Sequence, residues 1–497
     1  MTSFDIPIVA GGEVITDYKL THEGRYGGTF RTPDPKEHLD KLLLENRYQG
    51  MRDLYKLSLD DVVEYLVELG KKLDPETNEH LKWAWDISLS FSDQVEEIYW
   101  QMFNRLQEHF TPKYLEDAIA VVGREYLEGW VDNILYEGKR CSVRPIGVPT
   151  VHVIAGNGNI VGAITLIRNA LIRGHATVKI PSNELGTPVA LARTMIDMAP
   201  DHPLTKAFNV AYWKGGDEEF ERQIYHPSRI DRIVAWGGSE SIKHIAKYIQ
   251  PGIDLCNFDP KNSRAIIGKE AFDSDESLQQ VADRLAADVG YINQVGCLNC
   301  RVAYIESGTD EEGLDRARRL ADLFYESLQN LPSFISQEAK HFDKELKSEI
   351  DAIKFMDEDY YIVGGDSLGG VILSLSGDEV DFSEDLSGRT LNLIPVDNID
   401  EALMGIHRDV QSIGVYPEKL KDDIAVDAAL QGAQRLTSLG YMTGYSTLRE
   451  PHDGTEGLRR MGTWIVKEDC MTNYLPIPWR KPEDGTEVSE AEQFAVG

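Results

Sequence analysis

Two cysteines separated by two residues, Cys297 and Cys300, stand in the stretch GYINQVGCLNCRVAYIE. A structural zinc site needs four ligands, usually supplied as two pairs. The chain has only this one C-x-x-C, because Cys141, Cys256 and Cys470 are isolated. A redox pair would stand between the first strand and helix of a small βαβ unit, whereas this pair follows a predicted helix and precedes a predicted strand. Zinc binding and thiol redox chemistry are therefore disfavoured.

Spacing alone leaves two interpretations of the pair. Two buried small hydrophobic side chains explain it at least as well as one nucleophilic thiolate with a bystander. The segment NQVGC does place Cys297 on a turn that contains a glycine. Five cysteines in a chain of this length make no disulfide framework, and an odd number suits a reducing compartment. We therefore expect a cytoplasmic protein with a free thiol.

The elements before the cysteines predict where their partners lie. From residue 148, short strand-like and helical segments alternate, beginning with VPTVHVIAG, NIVGAITLIRNALIRG and ATVKIP. This order predicts a doubly wound parallel sheet, which binds ligands at the carboxyl ends of its strands. Those ends carry AGNGN, KIPSNE and WGGSES, and the G-x-G-x-x-G dinucleotide fingerprint is absent. A Gly-Gly-Ser turn either presents N–H groups to a phosphate or is a plain turn with a serine cap.

Length and charge exclude several classes of function. The chain has 497 residues and a formal net charge of −32, so its surface should repel nucleic acids and anionic membranes. No apolar run of about 18 residues predicts a membrane span, and MTSFDIPIVAGGEVITDYK lacks the pattern of a secretory signal.

Before the sheet, SLDDVVEYLVELGKKL predicts a helix capped by Ser58, within a mostly helical region.

Five segments in a fixed order carry a resemblance to a known family. AGNGN, VKIPSNE, WGGSES, FDPKNS and NQVGC together resemble the aldehyde dehydrogenase superfamily. Within it, the cysteine loop NQVGCLNCR, the element DPKNS, and PHDG followed by LRRM are similar to the acyl-CoA reductases of the LuxC type. The resemblance covers more than half of the chain.

The resemblance implies an aldehyde-dehydrogenase-like α/β fold with two Rossmann-like domains, an N-terminal helical extension and an oligomerisation arm. Its implied divisions are a helical extension packed on the cofactor domain (1–130), an NAD(P)-binding domain (131–265), a catalytic domain (266–445) and a C-terminal segment returning to the cofactor domain and the arm (446–497). The implied activity is reduction of an acyl-CoA thioester by NADPH, with NADH as the other possible cofactor, releasing free aldehyde and coenzyme A. A homodimer or homotetramer is also implied.

The same resemblance assigns roles to individual residues. Cys297 is the implied nucleophile, and Asn157 is the implied amide that binds the oxyanion. The alternative role of Asn157 is to cap the helix that follows it. The residues implied to bind the cofactor are Lys179, Ser182, Gly238, Ser239, Asp385 and Gly388. Ser182 stands where NAD-preferring relatives often carry an acid, although Glu184 lies two residues on. His452 is the candidate substrate contact, and no metal site is expected.

One departure from the superfamily bears on the reaction. Asn257 aligns with the general-base glutamate of ordinary aldehyde dehydrogenases, and an asparagine cannot take a proton from water. This favours transfer to or from coenzyme A over release of an acid. Two alternatives stay open: an aldehyde dehydrogenase that works without coenzyme A through another base, and a non-catalytic binding scaffold with a degenerate site.

Overall fold

The structure is a computed structural model that describes residues 3–44, 46–134, 140–443 and 450–469. The first part of the chain combines short strands with a set of helices. Its elements are β1 (Ser3–Asp5), β2 (Ile8–Ala10), β3 (Glu13–Ile15), β4 (Leu20–Glu23), β5 (Thr29–Thr32), α1 (Leu39–Leu42), α2 (Arg47–Leu54), α3 (Leu59–Gly70), α4 (Glu79–Phe91), α5 (Glu96–Asn104), α6 (Pro112–Val122), α7 (Arg124–Glu128), β6 (Val131–Ile134) and β7 (Arg140–Gly147).

The predicted helix after Ser58 is present as α3. Ser58 accepts a hydrogen bond from the backbone N–H of Asp61, and the Asp61 carboxylate accepts one from the N–H of Ser58, which is a reciprocal capping box.

The first 32 residues differ from the helical expectation, because they form five strands of three or four residues. Such short strands leave too little alternation in the sequence to predict them.

The first large sheet is doubly wound, as predicted. Its elements are β8 (Pro149–Val153), α8 (Ile160–Leu171), β9 (His175–Lys179), α9 (Thr187–Met198), α10 (Pro203–Lys206), β10 (Phe208–Ala211), α11 (Glu218–Ile224), β11 (Arg232–Trp236), α12 (Ser239–Ala246) and β12 (Asp254–Phe258). The strand order is β12-β11-β8-β9-β10-β2-β3. The five strands from β8 to β12 run parallel, while β2 pairs antiparallel with β10.

The second large sheet follows in the chain. Its elements are β13 (Asn262–Ile267), α13 (Asp275–Gly290), β14 (Cys300–Ile305), α14 (Glu311–Gln329), α15 (Lys344–Ile353), β15 (Tyr360–Asp366), β16 (Gly369–Ser374), β17 (Thr390–Pro395), α16 (Ile399–Met404), β18 (Val410–Tyr416), α17 (Glu418–Gln431) and β19 (Arg435–Ser438). The order is β15-β16-β17-β14-β13-β18-β19. Since β13 already belongs to this sheet, the expected boundary at residues 265 and 266 falls inside a strand.

The chain then returns to the first sheet through α18 (Gly457–Met461) and β20 (Gly462–Asp469). β20 pairs antiparallel with β7, and β7 pairs with β6, so three strands form a small separate sheet. This is the region expected to form the oligomer arm. The remaining short elements are 3₁₀ turns at Pro35–His38, Leu106–Phe110, Lys269–Phe272, Tyr291–Gln294 and Ser383–Asp385. Among the described residues, no helix has the length and hydropathy needed to cross a bilayer.

The two faces of the first sheet are covered by different helices. The core on one face contains side chains of α3, α4, α6, α8 and α9, together with Phe258 at the end of β12. The core on the other face contains side chains of α11 and α12, together with Trp213 just after β10. The sheet therefore separates two environments that meet at the carboxyl ends of its strands.

Candidate active site

A cavity of about 910 Å³ opens at the carboxyl ends of the first sheet and reaches the cysteine loop of the second sheet. Its wall includes Asn157 after β8, Gly238 after β11, Cys297 before β14, Gly388 before β17 and His452 in the returning segment. Five residues from distant parts of the sequence, all singled out beforehand, therefore line one cavity. The convergence follows from topology, because parallel strands deliver their carboxyl ends to one edge.

The turn that leads to Cys297 is strained. Ile292, Asn293 and Gln294 have φ values of 47°, 54° and 64°, in the left-handed region that non-glycine residues rarely adopt. Each such residue costs of the order of 1–3 kcal/mol and persists only where its surroundings fix it. Strain of this kind concentrates at functional sites.

Buried hydrogen bonds hold this turn in place. The Gln294 amide nitrogen donates to the carbonyls of Cys300 and Thr390, both at 2.8 Å, and its oxygen accepts the N–H of Thr390. Asn299 donates its amide to the Tyr291 carbonyl at 2.9 Å and accepts the Gly296 N–H at 2.9 Å. The turn is therefore locked to β14 and β17 by amides that flank Cys297.

The two cysteines occupy different environments. Cys297 is half-buried and lines the cavity, whereas Cys300 is fully buried and its thiol contacts the Val302 carbonyl at 3.3 Å. Burial raises the pKa of Cys297 to about 11, and the charge of Asp453 adds to this, while Arg301 and the amide of Gln411 lower it. Cys297 is therefore the thiol within reach of a ligand, and in the free protein it is protonated at neutral pH.

Two N–H donors accompany the Cys297 sulfur. Asn157 directs its side-chain amide across the cavity to the carbonyl of Val295, at 3.4 Å. It makes no cap on α8, whose N-cap is Asn159, so the alternative capping role is not observed. Within the described part of the chain, the backbone N–H of Cys297 donates to no carbonyl or side-chain oxygen, and its hydrogen bond is to the residue's own thiol. A side-chain amide and the backbone N–H of the nucleophile are the kinds of donor that an oxyanion requires.

A carboxylate that the sequence analysis did not single out lies beside the thiol. Asp453 follows His452, is largely buried, and accepts a hydrogen bond from the amide of Gln411. Burial raises the pKa of Asp453 to about 6, and burial lowers the pKa of His452 to about 4. At neutral pH, Asp453 is therefore mostly ionised and His452 neutral. The sequence shows PHDG as a motif, but no local pattern predicts that Gln411 contacts Asp453.

His452 packs in an aromatic corner of the cavity. Its ring centroid lies 5.1 Å from that of Trp236 and 5.4 Å from that of Phe258, and the Trp236 and Phe258 rings stack at 3.8 Å. The expected substrate contact is thus a neutral, half-enclosed imidazole in the wall.

Lys179 is the last residue of β9, and its side chain lies on the face of the first sheet that also carries Trp213. Its ammonium lies 5.7 Å from the centroid of the Trp213 ring, and burial lowers its pKa to about 8. Within the described chain its ammonium has no hydrogen bond or ion pair. Neither Lys179 nor Ser182 lines the large cavity, although their neighbours Pro181 and Asn183 do.

Glu184 does not share the environment of Ser182. It is buried among the N-terminal helices, where it accepts hydrogen bonds from the Tyr99 hydroxyl and the Thr187 N–H. Its burial raises its pKa. The carboxylate therefore braces α4, α5 and α9, and its charge is directed away from the strand end that carries Lys179.

The Gly-Gly-Ser turn opens α12. Gly238 is the N-cap, and Ser239 is the first helical residue and makes no side-chain cap. A Cβ added at Gly238 would meet no atom within 4 Å, so open space lies above the helix N-terminus. Gly238 lines the large cavity and Ser239 does not. An open helix N-terminus of this kind accommodates a phosphate.

The residues from the segment EDLSGRT separate. Gly388 lines the cavity with a φ of 62°, and a Cβ there would lie 2.8 Å from the Phe342 ring. Asp385 is exposed at the end of a 3₁₀ turn and does not line the cavity. Its neighbour Glu384 contacts Asn262 and Arg264 instead. The cavity wall therefore contains one of these two predicted cofactor residues.

The position aligned with a general base lies outside the cavity wall. Asn257 does not line the cavity, and its amide donates to Asp259, which does. Asp259 and Asp453 are two of the five acidic residues in the wall, so an asparagine at 257 leaves other carboxylates that could activate water.

Side chains that could together bind a metal ion cluster away from the cavity. In the described ranges, Asp17, Glu37 and His38 form the one group of donors close enough to share an ion, on the surface of the N-terminal region. Lys19 already contacts both acids.

Comparison with known proteins gives the family. The family model described as acyl-CoA reductase (LuxC) matches residues 54–464. The long-chain acyl-protein thioester reductase of Photorhabdus luminescens is 30% identical over 330 residues, which are 64% of this chain and 63% of that protein. The protein of the same name from Vibrio harveyi is 23% identical over 472 residues, 93% of each chain.

Among solved structures, aldehyde dehydrogenase 21 from Physcomitrella patens superposes with a TM-score of 0.72 at 13% identity, covering 96% of this chain and 100% of that one. The predicted aldehyde-dehydrogenase-like α/β fold is confirmed by this likeness.

Proposed function

Because the chain belongs to the LuxC family of acyl-CoA reductases, we propose that it reduces an acyl thioester to the free aldehyde through a thioester on Cys297. The observation that carries the proposal is that one cavity contains both the Cys297 thiol and Asn157, whose amide donates to the Val295 carbonyl two residues before the cysteine. The Asp453 carboxylate stands next to this thiol and is mostly ionised at neutral pH.

The first half-reaction is transfer of the acyl group. Asp453 takes the proton of the Cys297 thiol, and the sulfur attacks the thioester carbonyl. Asn157 and the Cys297 N–H stabilise the negative oxygen of the tetrahedral state. The carbonyl re-forms as the carrier thiolate leaves, and that thiolate takes up the proton from Asp453.

The second half-reaction is reduction. A reduced nicotinamide cofactor, when bound, would supply a hydride to the carbonyl carbon of the Cys297 thioester. The same two donors stabilise the oxygen again, and collapse releases the aldehyde and the Cys297 thiolate. Lys179 would meet a ribose hydroxyl, and the open N-terminus of α12 at Gly238 would take a phosphate. NADPH is the proposed cofactor, because Ser182 carries no charge to repel a 2′-phosphate and Glu184 is turned away.

The carrier of the acyl group is part of the proposal. The sequence interpretation named coenzyme A, as the family description does. Relatives from Photorhabdus and Vibrio are instead named for long-chain acyl-protein thioesters. These names support an acyl group delivered on a protein thiol, and both carriers release a thiol by the same chemistry.

The test is to trap the acyl-enzyme. Protein incubated with an acyl thioester, carried by coenzyme A in one arm and by a protein thiol in the other, is analysed by intact mass and peptide mapping. We expect one acyl group on Cys297 in the absence of reduced cofactor, and aldehyde on addition of NADPH. Cys300→Ala should still be acylated, whereas Cys297→Ala should not.

Two outcomes would reject the proposal. Acylation at another residue, or none with either carrier, removes the covalent mechanism and leaves the scaffold alternative. Steady oxidation of an aldehyde to an acid without any thiol acceptor identifies the hydrolytic alternative, with Asp259 or Asp453 activating water.

A further inference from the structure

Arg168, on α8, is a buried cation without a partner. The residue is only 5% exposed to solvent. Its Nη1 atom is inaccessible to solvent and makes no hydrogen bond. In the described part of the chain no carboxylate lies within ion-pair distance of Arg168. The guanidinium carbon lies 5.8 Å from the centroid of the Phe258 ring, which is a cation–π contact. An unpaired buried charge is costly, so its presence requires an explanation.

The guanidinium belongs to the cavity wall. Ile160, Val161, Ile164 and Arg168 all line the cavity, at the spacing of one helical face. The apolar members of this face make a surface suited to an acyl chain, and Arg168 stands at its far end, about 12 Å along the helix from Ile160.

Tyr114, on α6, adds a second donor. It lines the cavity and, among the residues described, its hydroxyl has no hydrogen-bond partner. Burial raises its pKa to about 12 while the charge of Arg168 opposes this, so the phenol stays protonated. A guanidinium only donates hydrogen bonds, and a phenol O–H near it can donate as well, so an acceptor with negative charge complements both groups.

Neither the cofactor nor Asp453 supplies this acceptor. Lys179 lies against Trp213 on one face of the sheet, whereas Arg168 lies against Phe258 in the core of the other face. Asp453 is near enough to influence the pKa of Arg168 but forms no ion pair with it, and it accepts from Gln411.

Building on the proposed function, we propose that the acyl group reduced by this protein carries a carboxylate at its end remote from the thioester, bound by Arg168 and Tyr114. A plain hydrocarbon chain would leave the guanidinium buried and unpaired. The net charge of −32 makes local capture necessary for any anionic ligand. Burial lowers the pKa of Arg168 to about 10, so it remains a cation at neutral pH.

The test compares straight-chain acyl thioesters with their ω-carboxy analogues of equal carbon number, over a series of lengths, by NADPH oxidation. In the wild type we expect kcat/KM to favour the carboxylate-bearing member at the matching length. Arg168→Met should lower the ratio of the two kcat/KM values by about 10²-fold, and Tyr114→Phe should lower it less. The control is Arg193→Met, which also removes an arginine over an aromatic ring, that of Trp83, outside the cavity wall.

The outcomes separate this inference from the function beneath it. If plain chains are reduced as well as or better than ω-carboxy chains at every length, the inference is wrong and the proposed function stands. If no thioester of either kind is reduced, the proposed function fails. If Arg168→Met does not fold, Tyr114→Phe and the wild-type preference decide the matter.

Discussion

The Asn157 side chain donates to the carbonyl of Val295 across the cavity, at 3.4 Å. Asn157 follows a strand of the first sheet and Val295 precedes Cys297 by two residues, so the contact joins the first sheet directly to the loop of the thiol. The bond is long, which leaves the amide available to a stronger acceptor, such as an oxyanion.

Replacing this amide tests its role. Asn157→Ala should lower kcat/KM for thioester reduction by about 10²–10³-fold, because one of two oxyanion donors is lost. Pre-steady-state acylation of Cys297 and its subsequent reduction should slow together, since both pass through a charged oxygen. A loss confined to the KM for the cofactor would contradict the assignment.

The titration of Cys297 gives a second prediction. With a pKa raised to about 11, the thiolate fraction of the free protein grows about tenfold for each unit of pH below that value, so the rate of iodoacetamide alkylation should climb without a plateau up to about pH 9. Asp453→Asn removes a negative neighbour, and at a fixed pH above 6 it should speed alkylation several-fold. An unchanged rate in this variant would mean that the two groups do not interact. Cys300→Ala serves as the control for labelling at the second cysteine.

The strained turn before Cys297 gives a third prediction. Gln294→Ala breaks three buried hydrogen bonds, and we expect a loss of about 2–4 kcal/mol in the free energy of unfolding. Because the turn sets the position of the sulfur, kcat should fall as well. Gln280→Ala, at an exposed position of α13, should change stability by about 0.5 kcal/mol or less. Equal effects of the two changes in a denaturation series would show that the turn is not specially held.

Cofactor preference gives a fourth prediction. Ser182→Glu should shift the ratio of kcat/KM for NADPH over NADH towards NADH by at least tenfold, because a carboxylate there repels a 2′-phosphate. Glu184→Gln is the matched comparison: it should lower the melting temperature, since Tyr99 and Thr187 lose a carboxyl acceptor, and leave the cofactor ratio unaltered. A change of ratio in Glu184→Gln alone would reverse the two assignments.

Much of the site was predictable because it depends on strand ends. Asn157, Gly238 and Cys297 each adjoin a strand recognisable from local pattern, and parallel sheets collect such residues at one edge. The helix after Ser58 was equally predictable, since its cap and its apolar spacing are local.

Other features depend on contacts between distant segments. The segments at 254–258 and 262–267 both have strand character, and only pairing decides that they belong to different sheets. Just after α8, Arg173 and not the following glycine takes the left-handed position, with a φ of 56°. Its guanidinium donates to the carbonyls of Leu57 and Leu127, and tertiary bonds of this kind leave no trace in the local pattern.

The chain leaves the first sheet through residues 259–261 and comes back to it through residues 450–456, and both crossings contribute to the cavity wall through Asp259, Lys261, His452 and Asp453. The two connections between the halves of the molecule therefore also form part of the cavity wall. A rotation of one half against the other would change the shape of the cavity together with the conformation of these connections.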